Sequence, residues 1–363
     1  MHDNLNPTQL LLNKTSSYYQ KSQALSYASK YNHQDLINEI LKEPNVDGDV
    51  PTYSDSEGLK KTPIECAVEN NELNLVKLFL PVTAKSFKTT ALIAAVRDGK
   101  EEIVEEILKD PEVDVNHDSL TSYQMRHLEK PYMSALEWTV KNDDLDMLLL
   151  LLEKRSKSTK LTEKALELAA EEGKEDFVQV IIKVPEIDTG DALAIFRYRL
   201  DEAIEKINIF RLLLPQAKRG RYNDIKSDLL YEASSSGEEE VVRILLSDPS
   251  ININSSDYSG ETALIKAVQR GKGSVVRILL DQKGIDVDAV DDSGRSALDY
   301  AKRYENQEIV KLFQQKGYKA AGEYLNMMRT NSLESLASSD SPPCPQTTYF
   351  PVLFIIPTLI RLL

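Results

Sequence analysis

The chain has 363 residues, 41% of them hydrophobic and 28% charged, which is enough apolar content for two or three compact domains or for one extended repeat array. Its net charge of −14 argues against sequence-independent nucleic-acid binding, which draws its affinity from Lys and Arg on phosphates, and mildly favours basic partners. The only cysteines, Cys66 and Cys344, exclude a disulfide framework and fit a reducing compartment, so a cytoplasmic location is expected.

Residues 1–20 read as a flexible N-terminal segment, and Leu10-Leu11-Leu12 is too short a run, without a basic start, for a secretory signal. From residue 21 a phrase of roughly thirty residues returns, with copies starting near residues 62, 90, 134, 164, 228, 260 and 296. Repeats of this size bury their core between neighbouring copies. Each copy opens on a small or polar residue. Thr62-Pro63 pairs an N-cap hydroxyl with a proline at the first helical position, and Thr62/Glu65 and Ser134/Glu137 have the capping-box spacing. A small Ala recurs mid-helix as Ala28, Ala67, Ala95, Ala169, Ala233, Ala267 and Ala301, where it lets helices approach closely.

Four residues after that Ala the first helix is expected to stop, at Asn32, Asn71, Gly99, Gly173, Gly237 or Gly271, with Asp143 in the same role. These residue types best tolerate a left-handed backbone. Counted from the turn, a second helix places apolar residues four, five, eight and nine positions on, such as Ile103, Val104, Ile107, Leu108 and Val275, Val276, Leu279, Leu280. That register is one face of an amphipathic helix. Asp110-Pro111-Glu112-Val113 and Asp248-Pro249-Ser250-Ile251 then end the pair, and the turns Asp257-Tyr258-Ser259-Gly260 and Asp291-Asp292-Ser293-Gly294 lead into the next.

Helix, Gly turn, helix and an Asp-x-x-Gly hairpin before Thr-Pro or Ala-Leu together resemble the ankyrin repeat. About nine copies span 21–318, so the expected fold is an all-α solenoid of helix-turn-helix pairs with β-hairpin-like loops, some copies degenerate. The end of a capping helix is expected at 319–329. The resemblance is clearest at 257–280 and 291–313 and poorest at 198–214, where the inter-helix turn is shortened. Hairpins are compressed at 81–88 and 154–162 and expanded between 116 and 133. The family's Thr-Pro-Leu-His signature has lost its His throughout, with Glu65, Ile93, Glu137, Glu167, Tyr231, Ile265 and Asp299 in its place. That His ties neighbouring repeats in the family, so a less uniform stack is expected.

The resemblance implies a non-enzymatic, monomeric scaffold or adaptor that binds another protein through a concave groove lined by hairpin tips and first helices. The matching positions are Tyr258, Ser259, Glu261, Gln269 and Arg270 in one repeat, and Asp292, Ser293, Arg295, Arg303 and Tyr304 in the next. Tyr and Arg are enriched at interface hot spots. The insertion at 117–133, with Tyr123, lies beside Trp138, the only Trp; it reads either as a contact finger or as a loop next to a Trp that plugs an inter-repeat gap.

No catalytic, cofactor or metal site and no small-molecule substrate is expected. Gly271-Lys272-Gly273-Ser274 lacks phosphate-loop spacing and falls in an inter-helix turn, while His2, His33, His117 and His127 make no ligand constellation with the cysteines. Residues 330–349 read as a disordered Ser/Pro-rich linker, and 350–363 form a hydrophobic tail. As a helix that tail would reach only about 21 Å against the ~30 Å hydrocarbon core. A membrane anchor that would make the chain a membrane-associated adaptor, a docking peptide and an unselected extension all remain open readings of it.

Overall fold

A computed structural model describes residues 18–42, 46–51, 61–113, 115, 133–154, 159–197, 199–217 and 224–318. Its helices pair along the chain: α1 (Tyr18–Lys30) with α2 (Gln34–Ile40), α3 (Pro63–Glu69) with α4 (Leu73–Phe79), and α5 (Lys85–Arg97) with α6 (Glu101–Leu108). Next come α7 (Ala135–Lys141) with α8 (Leu145–Glu153), and α9 (Lys160–Glu171) with α10 (Glu175–Ile181). The sixth repeat holds α11 (Gly190–Ala194), α12 (Leu200–Glu205) and α13 (Ile207–Leu213). The last three pairs are α14 (Ile225–Ser236) with α15 (Glu239–Leu246), α16 (Ala263–Gln269) with α17 (Gly273–Leu280), and α18 (Ala297–Arg303) with α19 (Gln307–Gln315). This all-helical order is consistent with nine repeats, with α12 additional. Among the described residues β-structure is confined to two isolated antiparallel bridges, Ser256 with Thr262 and Val290 with Ser296, at the bases of two hairpins.

First helices stack on first helices and second on second, and one core runs through the array between them. The mid-helix alanines are all buried, as are Ile103, Val104, Ile107 and Leu108 on α6 and Val275, Val276, Leu279 and Leu280 on α17. The turn positions adopt positive φ, from Asn32 at 53° to Gly237 at 91°. Glu305 takes the same place in the last repeat with φ 54°, so the stack imposes the left-handed turn even on a residue that does not favour it. Both capping boxes form, with the Thr62 and Ser134 N–H groups each donating to the N3 glutamate at 2.8 Å, and Ser296/Asp299 supplies a third.

Ties between neighbouring repeats come from the turns, and in one repeat also from the position of the family's His, where Tyr231 stands. Lys100 Nζ donates to the carbonyls of Val68 and Glu69 at 2.8 and 3.2 Å, Lys174 Nζ to that of Val140, and Lys206 Nζ to that of Glu171. Asn70 Nδ2 reaches the carbonyls of Ser29 and Lys30, and Asn142 Nδ2 those of Val96 and Arg97. Each side chain donates to carbonyls at the C-terminus of the preceding first helix, those of Ser29, Val68, Val96 and Val140 accepting a turn N–H as well, and a lysine there also meets the negative end of the helix dipole. The stack is therefore tied despite the missing histidines. A second device repeats within α5 and α14. Lys88, 4% exposed, donates to Asp110 and Glu112 at 2.7 and 2.8 Å, and Lys226 donates to Asp248 and Ser250 at 2.6 and 2.9 Å.

Two expectations need correction. Copies read as starting near 90, 164 and 228 lie inside helices that begin at Lys85, Lys160 and Ile225, so in these repeats the first helix reaches further back than the recurring phrase. In the sixth repeat the element stacked on α9 is α11, earlier than 198, and the first helix is broken before α12. The shortened turn is present: Lys206 alone separates α12 from α13. None of the described helices is long and apolar enough to cross a membrane. Residues 319–329, 330–349 and 350–363, and Tyr123 with most of the insertion, lie outside the described residues.

Candidate protein-binding face

The hairpins of the last two repeats are built identically. Asp257 Oδ1 accepts from the N–H groups of Ser259 and Glu261, both at 2.9 Å, and Asp291 Oδ1 accepts from those of Ser293 and Arg295 at 2.9 and 3.0 Å. Gly260 and Gly294 close the turns at φ 74° and 71°. This aspartate-centred turn raises the hairpin tip and leaves the intervening side chains outward. Tyr258 at one tip is 96% exposed. The two hairpins touch: Asp292 N–H donates to the Ser259 carbonyl at 3.0 Å, and a Cβ on Gly260 would lie 3.0 Å from the Asp292 nitrogen.

Several expected contact residues are engaged within the protein. Glu261 accepts from Lys266 at 2.8 Å, Gln269 at 2.6 Å and the Tyr231 hydroxyl at 3.1 Å. Burial raises its carboxyl, but these hydrogen bonds outweigh burial and hold it below the usual range. Tyr231, at the position of the family's His, also reaches Asp257 at 3.0 Å, and burial and the two carboxylates push its phenol upward. It thus ties α14 to the next hairpin, as that His would. Arg295 lies 5.7 Å over the Tyr300 ring, whose hydroxyl donates to buried Asp291 at 2.5 Å. Arg270, Asp292, Ser293, Arg303 and Tyr304 stay exposed, Tyr304 stacking on Tyr300 at 6.0 Å.

A register common to the repeats places the rest. Two residues after the buried Ala-Leu pair of each first helix comes the first position of an outward stripe: Trp138 after Ala135-Leu136, Leu168 after Ala165-Leu166, Ile195 after Ala192-Leu193, Lys266 after Ala263-Leu264. Trp138 is half-buried and packs against the core. The stripe therefore also contains Tyr27 and, farther along the same helix, Tyr31 at 59% exposure, neither of which sequence reading selected. The spacing from the mid-helix Ala was the available signal: Tyr31 follows Ala28 by three residues, as Arg270 follows Ala267 and Tyr304 follows Ala301.

Burial, with Glu69 and Glu65 nearby, pushes the Cys66 thiol up to about 12, so it stays protonated and unreactive. No group of three His, Cys, Asp or Glu among the described residues is arranged to hold a metal.

Comparison with known proteins agrees with this architecture. The family described as ankyrin repeats in three copies matches residues 25–119 and 230–321, together just over half of the chain. Similar solved structures include an ankyrin repeat domain from Acinetobacter baumannii AYE, 23% identical, with a TM-score of 0.41 over 51% of this chain and 98% of that one. Another is the ankyrin repeat protein EF0377, 22% identical, with a TM-score of 0.32 over 64% of this chain and 98% of that one. No curated protein matches the sequence. By its matched repeats and its stacked helix pairs, this chain belongs to the ankyrin-repeat family.

Proposed function

We propose that the chain is a non-enzymatic scaffold that holds a partner protein on the face formed by the hairpins and first helices, with Tyr258, Arg270, Asp292, Arg303 and Tyr304 as its contacts in the last two repeats. The observation that carries this reading is Tyr258, a large aromatic side chain 96% exposed on a hairpin braced by Asp257 and by the next repeat. A rigid aromatic presented to solvent loses little entropy on binding and can anchor a partner. Tyr304, 54% exposed, and Arg270 and Arg303 extend the surface on the neighbouring helices. The free buried thiol of Cys66 fits a reducing cytoplasm.

The test is capture of partners from the native cell by the wild-type chain and by a Tyr258→Ala/Arg270→Ala variant. Both side chains are exposed, so helicity and melting should be unchanged while the captured partner is reduced by tenfold or more, about 1.4 kcal/mol or above. Equal capture by both proteins refutes the placement.

A further inference from the structure

The middle of the stack presents a surface of different chemistry. Trp138, Leu168 and Ile195 occupy the same outward register on three consecutive repeats, each half-buried and seated on the core. Their helices are neighbours in the first-helix row, α7 against α9 and α9 against α11. At the corresponding positions of the flanking repeats stand Ala94, Glu232 and Lys266, so an apolar floor of this size is particular to repeats four to six.

Carboxylates rim that floor. Glu167 and Glu171 lie on α9 and Asp191 on α11, all three exposed, and none of their carboxylates has an ion-pair partner among the described residues. These acids lie on neighbouring helices of three consecutive repeats, and burial, followed by the like charges of Asp191, Glu171 and Glu137, raises the Glu167 carboxyl. The nearby cations are largely engaged: Lys141 pairs with Glu172 at 2.8 Å, Lys174 with Asp143 and Glu172, Arg197 with Asp228 at 3.3 Å, and Lys206 with the Glu171 carbonyl. Lys164, one turn before Glu167 on the same face of α9, is the exposed cation left beside it. An apolar strip bordered by unpaired like charges is complementary to a segment that offers apolar side chains between Lys or Arg.

We propose that the face of α7, α9 and α11 docks a basic segment of a partner protein, seating its apolar side chains on Trp138, Leu168 and Ile195 and its cations against Glu167, Glu171 and Asp191. This rests on the reading of the chain as a protein-binding scaffold and adds a second, separately testable contact region with a stated partner chemistry. The aromatic hairpin at Tyr258 and this acidic strip would then grip different parts of a partner along the same side of the stack.

Trp138 is the only Trp in the chain, so its fluorescence reports on this surface directly. The experiment titrates the full chain with a short peptide of repeating Lys-Arg-Leu, and with the same peptide carrying Ser for Leu or Glu for both cations. Saturable change in Trp emission is expected with the first, weakening as salt is raised, and no saturable change with either other peptide. Glu167→Gln, Glu171→Gln and Asp191→Asn together should weaken binding about tenfold. Glu101→Gln, Glu102→Gln and Glu105→Gln, which remove equal charge from the exposed side of α6, should leave it unchanged. No saturable Trp response to the cationic peptide, equal response to the Ser peptide, or equal weakening by both triple variants overturns the proposal. The Tyr258→Ala/Arg270→Ala variant should keep the Trp response, so failure at the hairpin and failure at this strip are told apart.

Discussion

Leu279→Ala tests the register on which the whole array depends. Leu279 is fully buried on α17, a helix that packs against α16 of its own repeat and against α15 and α19 of the two neighbours. Removing three carbons forfeits about 2.4 kcal/mol of transfer free energy at roughly 0.8 kcal/mol per methylene. A cavity among helices held from several sides closes only partly, which brings the expected loss to about 3–4 kcal/mol. Because stability in such an array is a sum of repeat and interface terms, the damage should centre on α14–α19 and fade toward α1. The assay is urea denaturation followed by far-UV circular dichroism, with amide exchange to locate the weakened helices. Leu149→Ala is the internal control: it lies on α8 at a place in the second helix where α17 carries Arg277, is 44% exposed, and should cost less than about 0.5 kcal/mol. An unchanged urea midpoint for Leu279→Ala, or equal losses for the two, would refute the assigned helix faces.

Two further outcomes follow from the hairpins and the buried charges. Gly260→Ala should lower the melting temperature by several degrees, since φ is 74° and the new Cβ would press on the Asp292 nitrogen, whereas Gly294→Ala, with a similar φ but open space around it, should cost less; equal effects would show that the contact between hairpins does not matter. Acid should loosen the stack. Asp110, Asp248, Glu261 and Asp291 all lie below the ordinary carboxyl values, because hydrogen bonds and nearby cations outweigh the burial that raises them. A carboxyl lowered by folding stabilises fully above its unfolded value and loses that contribution as pH falls through the folded value, here from about pH 4 downward. Asp49, Glu65, Glu167 and Asp228 are raised chiefly by burial and act in the opposite sense, costing stability once ionised in the unfolded chain. Melting followed between about pH 5 and 3 should show a net fall that Asp291→Asn makes shallower; a flat profile would mean the two sets cancel and the buried hydrogen bonds carry no net weight.

Local chemistry alone determined most of the repeat. Ala267 four residues before Gly271, the apolar steps on α6 and α17, and the capping pairs Thr62/Glu65 and Ser134/Glu137 are each short-range requirements of a helix, a left-handed turn or a helix start, so they are legible from spacing. The outward positions Tyr258, Arg270 and Tyr304 came from the resemblance to the ankyrin repeat, carried onto the positions that match it. Tertiary structure decided what each side chain does there. Glu261 and Gln269 look as free in sequence as Tyr258, yet they are bound to each other, and Glu261 also to Tyr231 of the preceding repeat. Nothing in the sequence around Lys100, Lys174 and Lys206 marks them as ties; they become so only when the preceding helix is placed against them and its carbonyls accept from them. The strip of Trp138, Leu168 and Ile195 was hidden because the sixth repeat breaks its helix, so Ile195 falls into register only once Ala192-Leu193 is seen packed against α9. The physical reason is common to all three cases. Helix and turn formation are settled within a few residues, whereas ties, burial and shared charge arise between repeats some thirty residues apart, at separations set by how the helices stack.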